Sequence, residues 1–221
     1  MPAPVAIVFD VLGTLVDEPA GLRAAIAAAT DRSADGDVDG LVRLWQDHVA
    51  AEQEKIVAGR RAFAPSDVLD AEAAALVAER AGITDAAALA TASHRLPPWP
   101  DTQAGLARLA ERFPLIGLSN ASPRALLRLN AHAGLRWHQA LSAQGAATYK
   151  PDAAVYRLAV DVAGCAPEQL LMVAAHAWDL RGAAAVGLRT AYVERPVGDP
   201  PTASDRFDLH ARDLADLADQ L

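Results

Sequence analysis

Runs of apolar residues alternate with amphipathic stretches along this chain, and the alternation changes character near residue 97. The first run, Val5-Ala6-Ile7-Val8-Phe9, is continuous, ends in Asp10, and is followed by a turn at Gly13. Such uninterrupted runs are the mark of parallel strands buried on both faces. Residues 19–96 then carry helical spacing and no strand signal. Leu22, Ile26 and Ala29 form one apolar stripe, and Leu41, Leu44, Trp45, Val49 and Ile56 a longer one. Ser66 is placed to cap a third helix with Val68, Leu69, Ala73, Leu76 and Val77 facing inward and Gly82 at its end, and Thr84 to cap a short fourth. The turn-rich segment Leu96-Pro97-Pro98-Trp99-Pro100 closes this block.

From Asp101 onward helices and strands take turns. Helices are expected over 101–112, from Ser122-Pro123 to Gly134, over 152–163, over 178–186 and at the terminus on Leu214, Leu217 and Leu221. Strands are expected over 115–119, around Ala140-Leu141, over 170–174 and over 188–193. This order predicts an α/β fold: a parallel sheet covered by helices on both faces. Residues 1–18 and 97–221 are expected to form the core, discontinuous in sequence, and 19–96 an inserted helical cap subdomain.

Composition narrows the function. The chain of 221 residues is 52% hydrophobic and 22% charged, with a formal net charge of −8 and no basic stripe, so nucleic acid is not an expected partner. No apolar run is long enough for a membrane span, and the N-terminus lacks a basic signal-peptide region. A single cysteine, Cys165, excludes an internal disulfide, reads as a filler residue and suits a reducing cytoplasm. Arginine supplies nearly all the positive charge; the only lysines are Lys55 and Lys150. A chain with that habit has reason to keep Lys where a compact ammonium is needed.

Four predicted strands end in polar residues, where open parallel sheets gather their ligands. The first gives Asp10. The second gives Ser119-Asn120-Ala121-Ser122-Pro123, with hydroxyl, amide and backbone N–H groups at a helix N-terminus, a natural anion seat. The third leads to Tyr149-Lys150-Pro151-Asp152, and the fourth to Ala174-Ala175-His176-Ala177-Trp178-Asp179. Each has a plain structural reading: Ser122 as a helix cap, Lys150 as a solvated turn residue, Asp179 as a first-turn anion and His176 as a loop residue. Together they put a nucleophile, an anion site, a cation and a second acid at adjacent strand ends.

The stretches FDVLGTLVD, LSNASP, YKPDAAVY and VAAHAWD resemble, in order, the four motifs of the haloacid dehalogenase (HAD) superfamily, and within it the L-2-haloacid dehalogenases of type II. The resemblance covers essentially the whole chain and implies a HAD-like Rossmannoid core with a helical cap. Most of that superfamily are magnesium-dependent phosphatases with a second Asp two residues after the nucleophile and a Gly-Asp pair after the fourth strand. Here those positions hold Leu12, Ala174 and Ala175. Magnesium demands near-octahedral oxygen ligation, so the pattern implies metal-independent chemistry with no cofactor. The implied reaction is hydrolysis of the carbon–halogen bond of a short 2-haloalkanoic acid through an ester on Asp10, with halide released. Lys150 and Asp179 complete the implied catalytic set. Leu12, Thr14, Gln46, Ser119, Asn120, Tyr156 and His176 are the implied substrate-side residues, with Ser119 and backbone N–H groups near Leu12 holding the substrate carboxylate. Related enzymes are commonly dimers.

One departure stands out. A cap arginine directly after a tryptophan receives the halide in the family, whereas here Trp45 is followed by Gln46. Loss of one such electrostatic stabiliser slows a reaction about 10²–10³-fold, and Arg43, Arg60 and Arg61 lie near enough in sequence to substitute. Two other readings stay open: a phosphatase with an atypical metal site, and a non-catalytic small-carboxylate binder.

Overall fold

The computed structural model describes residues 3–30 and 37–221. Six parallel strands, β1 (Ala6–Phe9), β2 (Leu115–Ser119), β3 (Gln139–Ser142), β4 (Leu170–Ala174), β5 (Arg189–Val193) and β6 (Leu209–Ala211), form one sheet in the order β3-β2-β1-β4-β5-β6. The most apolar segment, β1, therefore lies at the centre, with Phe9 aligned to Gly117 of β2 and Val173 of β4. Its alternation decides the two cores. Ile7, Phe9 and Val11 point to one side and pack with Leu106, Leu109, Leu126, Leu129 and Leu214. Ala6 and Val8 point to the other, with Val155, Tyr156, Leu180 and Ala183.

These layers come from α5 (Thr102–Ala110), α6 (Pro123–Ala133) and α9 (Leu214–Gln220) on the first face, and from α7 (Ala153–Ala163) and α8 (Ala177–Val186) on the second. Between β1 and α5 stand α1 (Glu18–Ala29), α2 (Val38–Val57), α3 (Ser66–Ala81) and the single turn α4 (Ala86–Leu89). They share a core of their own: Leu22, Ile26, Leu41, Trp45, Ala73, Val77 and Leu89. No helix among the described residues is long and apolar enough to cross a membrane.

Several local expectations change. Ser66 is the first residue of α3 rather than its cap, and its Oγ accepts the backbone N–H of Ser122 at 2.7 Å, tying the helical block to the end of β2. Val68 and Leu76 are exposed, because the buried face of α3 runs through Ser66, Leu69, Asp70, Ala73, Ala74, Val77 and Ala78 and leaves both outside it. Asp85, not Thr84, caps α4 through the N–H of Ala88. Strand β6 was hidden because its three residues, Leu-His-Ala, lie at the sheet edge with a single buried side chain.

Asp70 sits buried within the helical block, accepting the Ser93 hydroxyl at 2.8 Å. Burial pushes its carboxyl up to about 7, against the Ser93 hydrogen bond and with help from Glu18 and Asp67. A carboxyl raised in the folded state binds its proton more tightly there than in the unfolded chain, so stability declines as pH rises from about 4 to about 7. Asp70→Asn removes this dependence. Its stability relative to wild type is expected to improve by about 4 kcal/mol between pH 4 and pH 8, read from urea midpoints at both values.

Candidate active site

Asp10 follows the last residue of β1 and is held by its own backbone, whose N–H donates to Val173 O at 3.0 Å. The chain then turns sharply. Gly13 has φ of 77°, and a Cβ there would press on the His176 ring, so both conformation and contact require glycine. The turn's carbonyls are taken up by groups distant in sequence. Trp99 Nε1 donates to Gly13 O at 3.0 Å, Arg195 Nε to Thr14 O at 2.8 Å and Thr102 Oγ1 to Leu15 O at 2.8 Å. Asp101 pairs with Arg195 at 2.9 Å. Sequence reading missed Trp99, Arg195 and Asp101, because their role is to brace a loop whose partners are visible only once the chain is folded.

The carboxylate is fixed on both oxygens. Thr14 Oγ1 donates to Asp10 Oδ2 at 2.6 Å, and Lys150 Nζ donates to Asp10 Oδ1 at 2.9 Å. Lys150 also donates to Asp179 Oδ2 at 2.7 Å, while Tyr156 OH donates to Asp179 Oδ1 at 2.7 Å. All five side chains are buried. Gly182 lies directly beneath the Tyr156 ring, where a Cβ would collide with the hydroxyl. Thr14 in turn accepts the Ala175 N–H at 2.9 Å, which links the β1 and β4 ends.

One ammonium thus stands between two carboxylates, and the trio carries a net charge of about −1 with Lys protonated. Burial alone would lower Lys150, but Asp10 and Asp179 more than offset it and hold the ammonium above the ordinary lysine value. Burial raises Asp179, and Asp10 adds to this, against the pull of Lys150 and Tyr156. Burial and the neighbouring Asp179 push the Tyr156 phenol up, so it remains a donor.

A cavity of about 210 Å³ opens beside Asp10. Asp10, Leu12, Asn120, Lys150, His176 and Trp178 line its sheet side; Glu18, Trp45, Gln46, Val49, Ala50 and Gln53 line the side of α1 and α2. Asn120 joins the two: its Nδ2 donates to Gln53 Oε1 at 2.8 Å and its Oδ1 accepts the Lys150 N–H at 3.0 Å. The His176 ring lies beside Trp178, with Nε2 3.3 Å from Leu12 O.

Three expectations are revised. The anion seat after β2 is internally satisfied: Ala121 N–H donates to Ser119 Oγ at 3.1 Å, Ser122 N–H to Ser66 and Ala125 N–H to Ser122 Oγ at 3.0 Å. Ser119 is fully buried behind the cavity wall, so it shapes the Asn120 turn rather than lining the cavity. Arg43, Arg60 and Arg61 do not reach Asp10's surroundings. They pair with Asp37, with Glu54, and with Glu52 and Glu72, respectively. Glu18 is the cavity residue that sequence reading overlooked, being masked as an ordinary first-turn acid of α1.

The sequence matches the haloacid dehalogenase-like hydrolase family over residues 5–187. The chain belongs to that family. Among curated proteins it is 28% identical to an (S)-2-haloacid dehalogenase of Pseudomonas putida, over 97% of this chain and 96% of the relative. It is 32% identical to the (S)-2-haloacid dehalogenase of Xanthobacter autotrophicus, over 86% and 75%. Among solved structures, an L-2-haloacid dehalogenase superposes with a TM-score of 0.89 at 32% identity, covering 99% of this chain and 98% of that one. A defluorinating L-2-haloacid dehalogenase superposes equally well, with a TM-score of 0.89 at 32% identity over 98% and 94%. This haloacid dehalogenase-like hydrolase therefore shares both sequence and architecture with enzymes that cleave haloacids.

Removing the central cation tests its place in the fold. Lys150→Met leaves two buried carboxylates facing each other and is expected to cost about 3–5 kcal/mol at pH 7. Part of that loss should return as pH falls and a carboxylate protonates, read from urea midpoints at pH 7 and pH 5.

Proposed function

We propose that this chain hydrolyses short 2-haloalkanoic acids without a metal ion, through an ester formed on Asp10. The observation that carries this reading is the Asp10 carboxylate itself, held by Lys150 and Thr14 at the wall of a small cavity. Anchoring both oxygens aligns the carboxylate for in-line attack before substrate arrives. A cavity of about 210 Å³ suits a substrate of few heavy atoms. The (S)-2-haloacids named for the relatives are the substrates to offer first.

In the first step an Asp10 oxygen attacks C2, the C–O bond forms, and the C–X bond breaks with its electron pair leaving on the halide. Backbone N–H groups after Asp10, near Leu12, receive the substrate carboxylate. Ester formation removes the charge of Asp10, so the Lys150 ammonium is left to Asp179. Water then attacks the ester carbonyl. Asp179, whose affinity for a proton is raised by burial, takes one proton from the water and hands it to the departing alkoxide oxygen as the ester C–O bond breaks. The hydroxy acid leaves, and the Asp10 carboxyl returns to the carboxylate by releasing the water's second proton to solvent. Tyr156 keeps Asp179 in place throughout. The helices α1–α4 act as the cap that limits water in the cavity.

The donor set does not fit a divalent cation. Lys150 already lies between Asp10 and Asp179, and Leu12 and Ala175 offer no side-chain oxygen. A phosphoryl group at Asp10 would meet charge that no ion offsets. This favours carbon–halogen over phosphoester hydrolysis.

Halide release from (S)-2-chloropropionate should persist in EDTA and fall at least about 10³-fold in Asp10→Asn. Acid quenching during turnover should leave a carboxyalkyl adduct on the peptide containing Asp10, visible as a mass increase. Absence of halide release from chloro-, bromo- and fluoro-substituted acids by folded protein would overturn the reading, and magnesium-stimulated phosphate release would replace it.

A further inference from the structure

An in-line displacement sends the leaving group away from the attacking oxygen. A halide displaced by Asp10 therefore emerges toward the opposite side of the cavity, formed by Glu18, Trp45, Gln46, Val49, Ala50 and Gln53. Among the described residues no arginine lines this cavity, and its lysine, Lys150, is on the Asp10 side and engaged by two carboxylates. Of the polar groups facing the leaving atom, Gln53 is held by Asn120 through its oxygen. Gln46 Nε2 donates to Glu18 Oε2 at 3.1 Å. That contact occupies one oxygen of Glu18 and leaves Oε1 to carry a proton.

We propose that Glu18, as a neutral acid, donates its O–H to the departing halide in place of a cation. The inference rests on the dehalogenase reading and assigns the part of the site that the reading leaves open. As Asp10 bonds to C2 and the C–X pair passes to the halide, the ion accepts hydrogen bonds from Glu18 Oε1–H and from the second N–H of Gln46. Glu18 keeps its proton, so the leaving group departs as halide ion and no further reactant is needed. An ionised Glu18 would instead repel both the substrate carboxylate and the halide.

The surroundings favour the neutral form. Burial pushes the Glu18 carboxyl up, against the Gln46 hydrogen bond and the His176 ring, with Asp10 adding to the rise. Among the described residues, the other titratable groups around it are Lys150 across the cavity, Asp17 preceding it on the chain, and Asp70 in the adjoining core of the helical block. Hydrogen-bond donation matters more for a small halide than for a large one, so dependence on Glu18 should be steeper for chloride than for bromide.

Two measurements test this. Halide release from 2-chloro- and 2-bromopropionate is followed between pH 5 and 9, and chloride binding to the resting protein is followed by the chlorine NMR line width. Wild type should lose rate on the alkaline side as Glu18 ionises. Glu18→Gln keeps a donor that cannot ionise, and its profile should lack that decline. Glu18→Ala should fall about 10²-fold at pH 5, more for the chloro than for the bromo acid. Chloride should bind wild type more tightly at pH 5 than at pH 8, bind Glu18→Gln equally at both, and broaden little with Glu18→Ala. An alkaline decline unchanged in Glu18→Gln, or chloride binding untouched by Glu18→Ala, overturns the assignment. Chloride binding in the expected pattern without any halide release would retain the Glu18 site and reject the dehalogenase reading. Halide release without that pattern would do the reverse.

Discussion

The Lys150 ammonium between Asp10 and Asp179 is the interaction on which the rest of this structure depends. Two buried carboxylates at neighbouring strand ends repel each other, and burial penalises both charges. Only an opposite charge within hydrogen-bond reach of each makes them tolerable. Lys150 supplies it at 2.9 and 2.7 Å, from a loop that reaches across the ends of β1 and β4. A lysine serves here because its compact ammonium can turn a different N–H toward each carboxylate.

The surrounding architecture keeps that trio in one geometry. Thr14 binds Asp10 and Ala175 at once, and Tyr156 fixes Asp179. The Gly13 turn is braced by Trp99 and Arg195 from distant parts of the chain. The result is a carboxylate whose orientation is determined before any ligand arrives, as the proposed attack by Asp10 requires. The opposite wall is built differently. It is contributed by α1 and α2, carries Glu18 and Gln46, and has no cation among its lining residues. The site is thus strongly polarised: charge and fixed hydrogen bonds on the sheet side, the two amides of Gln46 and Gln53 and one acid on the helix side.

Much of this was legible beforehand. Apolar runs ending in polar residues marked β1, β2 and β4, because a strand buried on both faces has no room for polar side chains until it leaves the sheet. Asp10 and Asp179 followed from that pattern, Lys150 from its place after the third strand in a chain with only two lysines, and the helical block from its own apolar stripes. The stripe misread in α3, where Val68 and Leu76 are exposed, reflects a buried face that also takes in Asp70, Ala74 and Ala78, small or polar positions that apolar spacing does not mark. Strand β6 escaped notice because an edge strand of three residues needs neither alternation nor full burial.

The sequence by itself determined which chemical groups are present and which strand ends carry them, since local periodicity records burial and burial dictates the strands. It also determined what is lacking: an acid at Leu12, an acid at Ala175 and a guanidinium at Gln46. Only the tertiary structure decided how the polar groups are shared. It turned the N–H groups after β2 inward to Ser119, Ser66 and Ser122, and it sent Arg43, Arg60 and Arg61 to acids outside the cavity. It also brought Glu18 into the cavity that Asp10 lines. Hydrogen bonds and ion pairs act over a few ångströms between residues far apart in the chain, so their partners are settled by packing rather than by spacing.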